Sequence, residues 1–377
     1  MKGNIRKRTE KGGWQITIWT GTKADGKPQR YYETVKGKKS NAQRRLRELL
    51  TTIDNGTYAP PSHLTVTQLL KEWQAGYCKT NCCFRTQDTY DYIVRWHLIP
   101  AFGHVKLESL QPRMIQTFYG KACETLSKRT VLHIHRILSQ ALKWAVRQGY
   151  IGRNPAEMVD PPVPTHRNMS TLSPEEVCLL LERAQGNAFY GVIYTAISTG
   201  LRRNEILGLR WRDVDLLMTS ISVSQIIDKT KDRLLFKEPK TQKSRRRISI
   251  TPKLACFLRE HQRKQEQVFM EQGKILDLDD LVFCHPDGRP FDPSTVTHSF
   301  GKIVRSLGLK VRFHDLRHSC ASLMLREGVH PKIVSEMLGH STIAITLDVY
   351  SHIMPGMQEA AARSLDSVLP AAVSVVQ

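Results

Sequence analysis

The chain has 377 residues, too many for one ordinary core and enough for two or three domains. Its 56 Lys+Arg against 35 Asp+Glu leave a net charge of +21, which points to a polyanionic partner, nucleic acid ahead of an acidic membrane surface. With 40% hydrophobic residues, no low-complexity block and no apolar run near the ~18 residues of a membrane span, disorder and membrane insertion are both disfavoured.

Residues 1–58 carry 14 Lys+Arg and 5 Asp+Glu, or +9, so a sixth of the chain holds over a third of the net charge. The basic amino terminus lacks an apolar segment and is not read as a signal peptide, and eight cysteines without one read as reduced cytoplasmic thiols. Trp14 to Trp19 alternates with period two, Gln29 to Val35 reads as another strand, and Ala24-Asp25-Gly26 supplies turn chemistry between them. Ser40 and Gln43 form a capping box for a helix from about Asn41 to Ile53, which Asn55-Gly56 ends before Pro60-Pro61. The expectation is a small α+β domain, a three-stranded sheet on one helix. Ile16 and Ile18 face inward and Gln15, Thr17, Trp19, Arg30 and Tyr32 face out, a face that is either simply solvated or one where Arg30 and Tyr32 contact DNA.

Residues 63–156 read as an all-α domain. Thr65 and Gln68 box the start of a helix bearing Leu69, Leu70 and Trp73. From Ser127 to Gln148 the apolar residues Val131, Ile134, Leu138, Leu142 and Ala145 recur at helical spacing, and the opposite face carries Lys128, Arg129, Arg136, Lys143 and Arg147. Such a face is commonly just solvated; beside the net charge it becomes a candidate phosphate-tracking surface. Cys78, Cys82 and Cys83 read as loop residues without partners at zinc spacing, so no metal is expected.

Pro161, Pro162 and Pro164 mark residues 157–170 as a semi-stiff linker. Ser173-Pro174-Glu175-Glu176 then opens a helix, and residues 171–377 read as mainly α, with strand-like stretches at Ser220–Ile226 and Arg247–Ile250.

This last segment holds an unusual set of motifs: TGLRRNE (Thr199 to Glu205), PKT (Pro239 to Thr241), SRRR (Ser244 to Arg247), HDLRH (His314 to His318) and LGHSTIAITLDVYSH (Leu338 to His352). Singly, each has a bland explanation. In this order and spacing they resemble the active-site signature of the tyrosine recombinases, phage-integrase branch. The helical segment before them resembles that family's core-site-binding domain, and residues 1–58 its arm-type DNA-binding domain. His340 and Tyr350 stand ten apart, where shorter members have nine; the longer spacing also belongs to the integrase branch.

The chemistry is intelligible without the family. Breaking a phosphodiester by direct attack needs a nucleophile, neutralisation of developing charge, and a proton for the leaving oxygen. A phenol can attack, and its phosphotyrosine ester stores the bond, so neither ATP nor a metal is needed. The chain has no GxxxxGK[ST], GxGxxG or HExxH motif, and no cofactor is expected. Arg202 and Arg317 suit a clamp on the non-bridging oxygens, each read into a first helical turn, with Asp315 capping and Gly328 ending the second helix. Glu205 reads equally as a carboxylate that orients Arg202 or as ordinary helix-surface charge.

The resemblance assigns Tyr350 as nucleophile, Lys240 as the acid that protonates the departing 5′ oxygen, His314 to proton transfer and phosphate contact, and His340 to a hydrogen bond with the scissile phosphate. Arg245, Arg246 and Arg247 are read as phosphate contacts. It implies a site-specific recombinase for a phage or mobile element, acting through 3′-phosphotyrosyl DNA. The implied partners are double-stranded DNA at core and arm-type sites, a homotetramer and DNA-bending accessory proteins, with no membrane. Glu359 to Val368 would be a short helix that docks on its own domain or on a neighbour. The implied fold is multidomain: the α+β N-terminal domain, the all-α core-binding domain, and a mainly α catalytic domain with a small antiparallel sheet. Rival readings are a catalytically silent DNA-binding regulator, and a type IB topoisomerase or telomere resolvase.

Overall fold

The computed structural model describes residues 3–8, 13–22, 28–54, 63–165, 170–229, 233–239, 245–340, 342–350 and 366; at 20–22, 28–29, 345 and 348–350 it describes backbone only. The chain divides into two compact units, Met1–His166 and Arg167–Gln377.

The first unit opens with three antiparallel strands in the order β1 (Gly3–Lys7), β2 (Trp14–Thr22) and β3 (Pro28–Val35), backed by α1 (Lys39–Asp54). Alternation buries Ile16 and Ile18 against Ala42 and Leu49 of α1. The opposite face sets Thr17 across from Tyr32 and Trp19 across from Arg30, whose guanidinium lies 6.0 Å from the Trp19 ring centroid. The Ser40 capping box does not form. Gly37, at φ +100°, turns the chain early, and α1 is already under way at Lys39. The turn read at Ala24-Asp25-Gly26 lies outside the described residues.

A second core fills the helical part of this unit. Thr65 and Gln68 close their capping box at the start of α2 (Val66–Trp73), which runs through a π-helical turn (Gln74–Cys78) into α3 (Lys79–Asn81). Likewise α4 (Phe84–Ile93) passes through a π turn (Val94–Leu98) into α5 (Ile99–Phe102). Cys82 and Cys83 lie in the short connection between α3 and α4, as read, but Cys78 does not. Cys78 closes the first π turn, and burial pushes its thiol up to about 12. Among the described residues no group of His, Cys, Asp and Glu is placed to hold a metal. After α6 (Pro112–Thr125) comes α7 (Lys128–Arg147), capped by Ser127. Its five apolar positions are buried, while Lys128, Arg129, Arg136, Lys143 and Arg147 are exposed, all within about 100° of helical arc. Pro155–Met158 forms a 3₁₀ turn with Ala156 in this core, so Glu157 belongs to the helical domain rather than to a linker.

The second unit is mainly helical. It contains α8 (Pro174–Ala184), α9 (Tyr190–Thr199), α10 (Arg203–Leu207), α11 (Pro252–Glu271), α12 (Pro293–Ser306), α13 (Asp315–Arg326), α14 (Pro331–Leu338) and α15 (Ile343–Tyr350). Ser173 and Glu176 box the start of α8. Strands β4 (Val214–Asp215), β5 (Ser220–Ser222) and β8 (Arg247–Ser249) form one antiparallel sheet, and β6 (Ile226–Lys229) and β7 (Leu234–Lys237) a separate hairpin. The stretch Ser220–Ile226, one strand by pattern, thus splits. Ser224 turns aside to Asp213, and the chain exchanges β8 for β7 as its partner. Ile193, Ile206, Val282, Phe300 and Leu316 lie in the common core, which brings α9, α10 and α13 together. Among the described residues no helix is long and apolar enough to cross a membrane.

Candidate active site

Helix α9 stops at Gly200, held at φ +64°. A side chain there would also come within 2.4 Å of Leu338, so this turn must be glycine for α14 to approach. Arg202 then stands at the N-cap of α10. Its backbone N–H donates to Glu205 Oε2 at 2.9 Å and its Nη1 to Oε1 at 2.7 Å. Glu205 is 4% exposed, and a second guanidinium reaches it: Arg246 Nη2 at 2.9 Å and Nη1 at 3.2 Å. Burial opposes its charge, yet the bonds and attraction from Arg246 and Arg202 hold the carboxyl below its ordinary range.

Arg317, 3% exposed in α13, donates Nη1 to the Gly200 carbonyl at 2.8 Å and Nη2 to that of Leu338 at 2.5 Å. The two candidate clamp arginines therefore share the C-terminal end of α14, because Arg202 also reaches the Gly339 carbonyl at 3.4 Å. His314 caps α13 and meets His318 edge to face at 5.2 Å. Asp315 is the first residue of α13 rather than its cap; its carboxylate accepts instead from the Arg312 backbone and guanidinium. Gly328, at φ +79°, follows the helix end.

Gly339, at φ +67°, ends α14 and presents His340, whose Nδ1 lies 2.8 Å from Thr346 Oγ1 on α15. Tyr350 closes that helix four residues on, about 6 Å further along its axis. Beside Arg202 and His314 opens a cavity of about 500 Å³, bordered also by Asn204, Pro239, Arg312 and Phe313. Four of the six expected residues thus converge: Arg202, His314, Arg317 and His340. The Tyr350 side chain and all of Lys240 lie outside the described residues.

Desolvation, then the Arg317 charge, lowers His314; the same causes, with Arg202, His318 and Arg246 added, bring His340 to about 4. His318, lowered first by burial and then by His314, also falls to about 4. Folded values below the ordinary 6.5 mean that the unfolded chain binds more protons, so stability is lost as pH falls from about 6.5 to about 4. Melting temperature followed across that window should drop, and His318→Gln should flatten the slope; a wild-type profile without slope would contradict this charge state.

Arg245 and Arg247 are exposed and paired with Glu238 and Asp215, as surface cations are. Arg246 departs from the phosphate-contact reading: its side chain is 7% exposed and turned into the site. The signal was strand alternation. Ile248 and Ile250 point inward, and Arg246 shares their parity. Thr346, fully buried, had no such signal. Arg30, Tyr32, Lys128, Arg129 and Arg136 all lie on exposed faces of the first unit, whereas the convergent arginines and histidines belong to the second.

Comparison with known proteins gives one family. The model of the phage integrase family matches residues 171–356, and that of the phage integrase N-terminal SAM-like domain matches residues 65–122. A tyrosine recombinase XerC-like protein of Caldanaerobacter subterraneus is 28% identical over 94% of this chain and 96% of its own. The ICEBs1 integrase of Bacillus subtilis is 30% identical over 74% of this chain and 76% of its own. Among solved structures, the Tn1549 transposon integrase with circular-intermediate DNA superposes with a TM-score of 0.70, at 22% identity over 80% of this chain and 99% of that one. A lambda integrase dimer on a core site gives 0.59, at 15% identity over 92% and 94%. With the convergent arginines and histidines, these matches place the chain in the phage integrase family, the tyrosine-type site-specific recombinases.

Proposed function

We propose that this chain integrates and excises a phage or other mobile element by cutting and rejoining DNA through a 3′-phosphotyrosyl bond at Tyr350. The observation that carries the reading is the anchoring of Arg317 on the Gly200 and Leu338 carbonyls and of Arg202 on that of Gly339, beside His340. Those bonds fix both guanidiniums before any substrate arrives, so the transition-state charge meets donors that need no reorganisation. Arg202 and His314 border the cavity and receive the scissile phosphate there. Thr346 engages His340 Nδ1, which leaves Nε2 as the ring nitrogen for a phosphate oxygen. His314, kept neutral by burial and Arg317, can accept the Tyr350 proton, and Lys240 returns one to the 5′ oxygen.

The organisation is tripartite: residues 1–58 on arm-type sites, 63–156 on the core site, and 171–377 for catalysis. Arg30 and Tyr32 contact DNA from the outer sheet face, and Arg245 and Arg247 track phosphates near the site. A lambda integrase is known as a tetramer on a Holliday junction. This chain acts as such a tetramer, aided by DNA-bending proteins, in the cytoplasm at the nucleoid. Glu359 to Val368, the segment for docking in trans, lies outside the described residues.

The test is recombination between two copies of the element's junction sequence on one plasmid, in EDTA and without ATP. Deletion product is expected; a strict requirement for metal or nucleotide would overturn the mechanism. The basic face of α7 makes a separable claim. Lys128→Gln/Arg136→Gln should weaken duplex binding and shallow the plot of log affinity against log salt by about 2 units, near 0.9 per lost phosphate contact. An unchanged slope would return that face to plain solvation.

A further inference from the structure

The C-terminal end of α14 has an unusual set of partners. Helix ends leave carbonyls that need donors. Here the Ser335 and Glu336 carbonyls accept the His340 and Gly339 backbone N–H groups, each at 3.0 Å. The next three go to three different arginines: Met337 to Arg246 Nε at 2.6 Å, Leu338 to Arg317 Nη2 at 2.5 Å, and Gly339 to Arg202 Nη2 at 3.4 Å. Two of these arginines form the proposed phosphate clamp. The third has no part in the mechanism above.

Arg246 nevertheless links both halves of the site. Its guanidinium is bidentate on Glu205, the carboxylate that also orients Arg202. It also lies flush on the turn that presents His340: a Cβ added at Gly339 would sit 3.1 Å from Arg246 Cδ and Nη1. Its side chain is 7% exposed, against 55% for Arg245 and 57% for Arg247, so it is poorly placed to meet a backbone phosphate. A helix C-terminus is the negative end of its dipole and favours cations, and Glu205 supplies the remaining countercharge.

We infer that Arg246 is a positioning residue for strand cleavage, setting Arg202 through Glu205 and His340 through the end of α14. The inference rests on the recombinase reading above. Lysine cannot replace it, because one ammonium cannot grip a carboxylate bidentately and a carbonyl behind it at once.

The test compares wild type, Arg246→Lys, Arg246→Gln and Arg247→Gln as full chains on a nicked suicide duplex carrying the element's core site. Arg246→Lys should cleave about 10²-fold more slowly at saturating duplex, the scale of a small misplacement of reacting groups, with affinity and salt slope as in wild type. Arg247→Gln should instead weaken duplex binding and lose about 0.9 from the slope. Normal cleavage by Arg246→Lys with a shallower slope would overturn the inference in favour of a phosphate contact. Arg246→Gln strands a buried carboxylate; if it fails to fold, Arg246→Lys alone decides. A readout without catalysis separates this inference from the reading beneath it. In ¹⁵N-histidine spectra without DNA, Arg246→Lys should move the His340 imidazole signals and Arg247→Gln should not. An unmoved His340 would contradict the positioning role even if cleavage fell, whereas a wild type that forms no adduct would contradict the recombinase reading instead.

Discussion

Tyr350→Phe should bind a core-site duplex like wild type, form no covalent protein–DNA adduct, and give no recombinant. The substitution removes one hydroxyl, and with it the covalent route itself rather than one stabilising contact. Positively charged surfaces elsewhere are untouched, so affinity is expected to hold. The expectation is sharpened because Tyr150 and Tyr194 are committed elsewhere. Tyr150 donates to Glu72 at 3.1 Å, and Tyr194 packs edge to face on Phe257 with burial pushing its hydroxyl up. Tyr350 instead closes the helix that Thr346 ties to His340. Denaturing gels on a suicide duplex, wild type beside variant, check it; an adduct from both would move the nucleophile to another residue.

Arg317→Ala should lose strand cleavage by at least the ~10²–10³-fold typical of removing one charge-stabilising donor. It should also destabilise the fold. Arg317 is 3% exposed and satisfies the Gly200 and Leu338 carbonyls, and each acceptor left buried without a partner costs about 1–3 kcal/mol. Two effects on one substitution need separating. Arg317→Lys keeps a charge but cannot span both carbonyls, so it should melt closer to wild type and still cleave poorly. Thermal melts paired with single-turnover cleavage make the comparison. Wild-type cleavage by Arg317→Lys would show that charge alone, not the anchored fork, is what the site requires.

Much of this was legible in the sequence, for identifiable reasons. Capping boxes at Thr65 and Ser173 are local chemistry and formed as read, and the period of Val131 to Ala145 gave α7 its two faces. Arg202 with Glu205 is a pair within one helical turn, so it too was readable. What was not legible depends on distant partners. Ser40 lost its cap to a glycine turn three residues upstream, and Ser220–Ile226 broke where the chain changes strand partners. For Arg246 strand parity marked only the inward direction; its partners were hidden, because the carboxylate that draws it inward lies 41 residues earlier and its carbonyl partner 91 later. Cys78 was misplaced because π turns leave no clear local signature.

The most direct measurement is the site of covalent attachment. Wild-type protein is trapped on the suicide duplex in EDTA, digested, and the nucleotide-bearing peptide identified by mass spectrometry. The expected result is a nucleotide joined through its 3′ phosphate to Tyr350. Attachment at another residue, or a duplex shifted on native gels with no adduct at all, would contradict the assignment of this site as the one that cuts DNA.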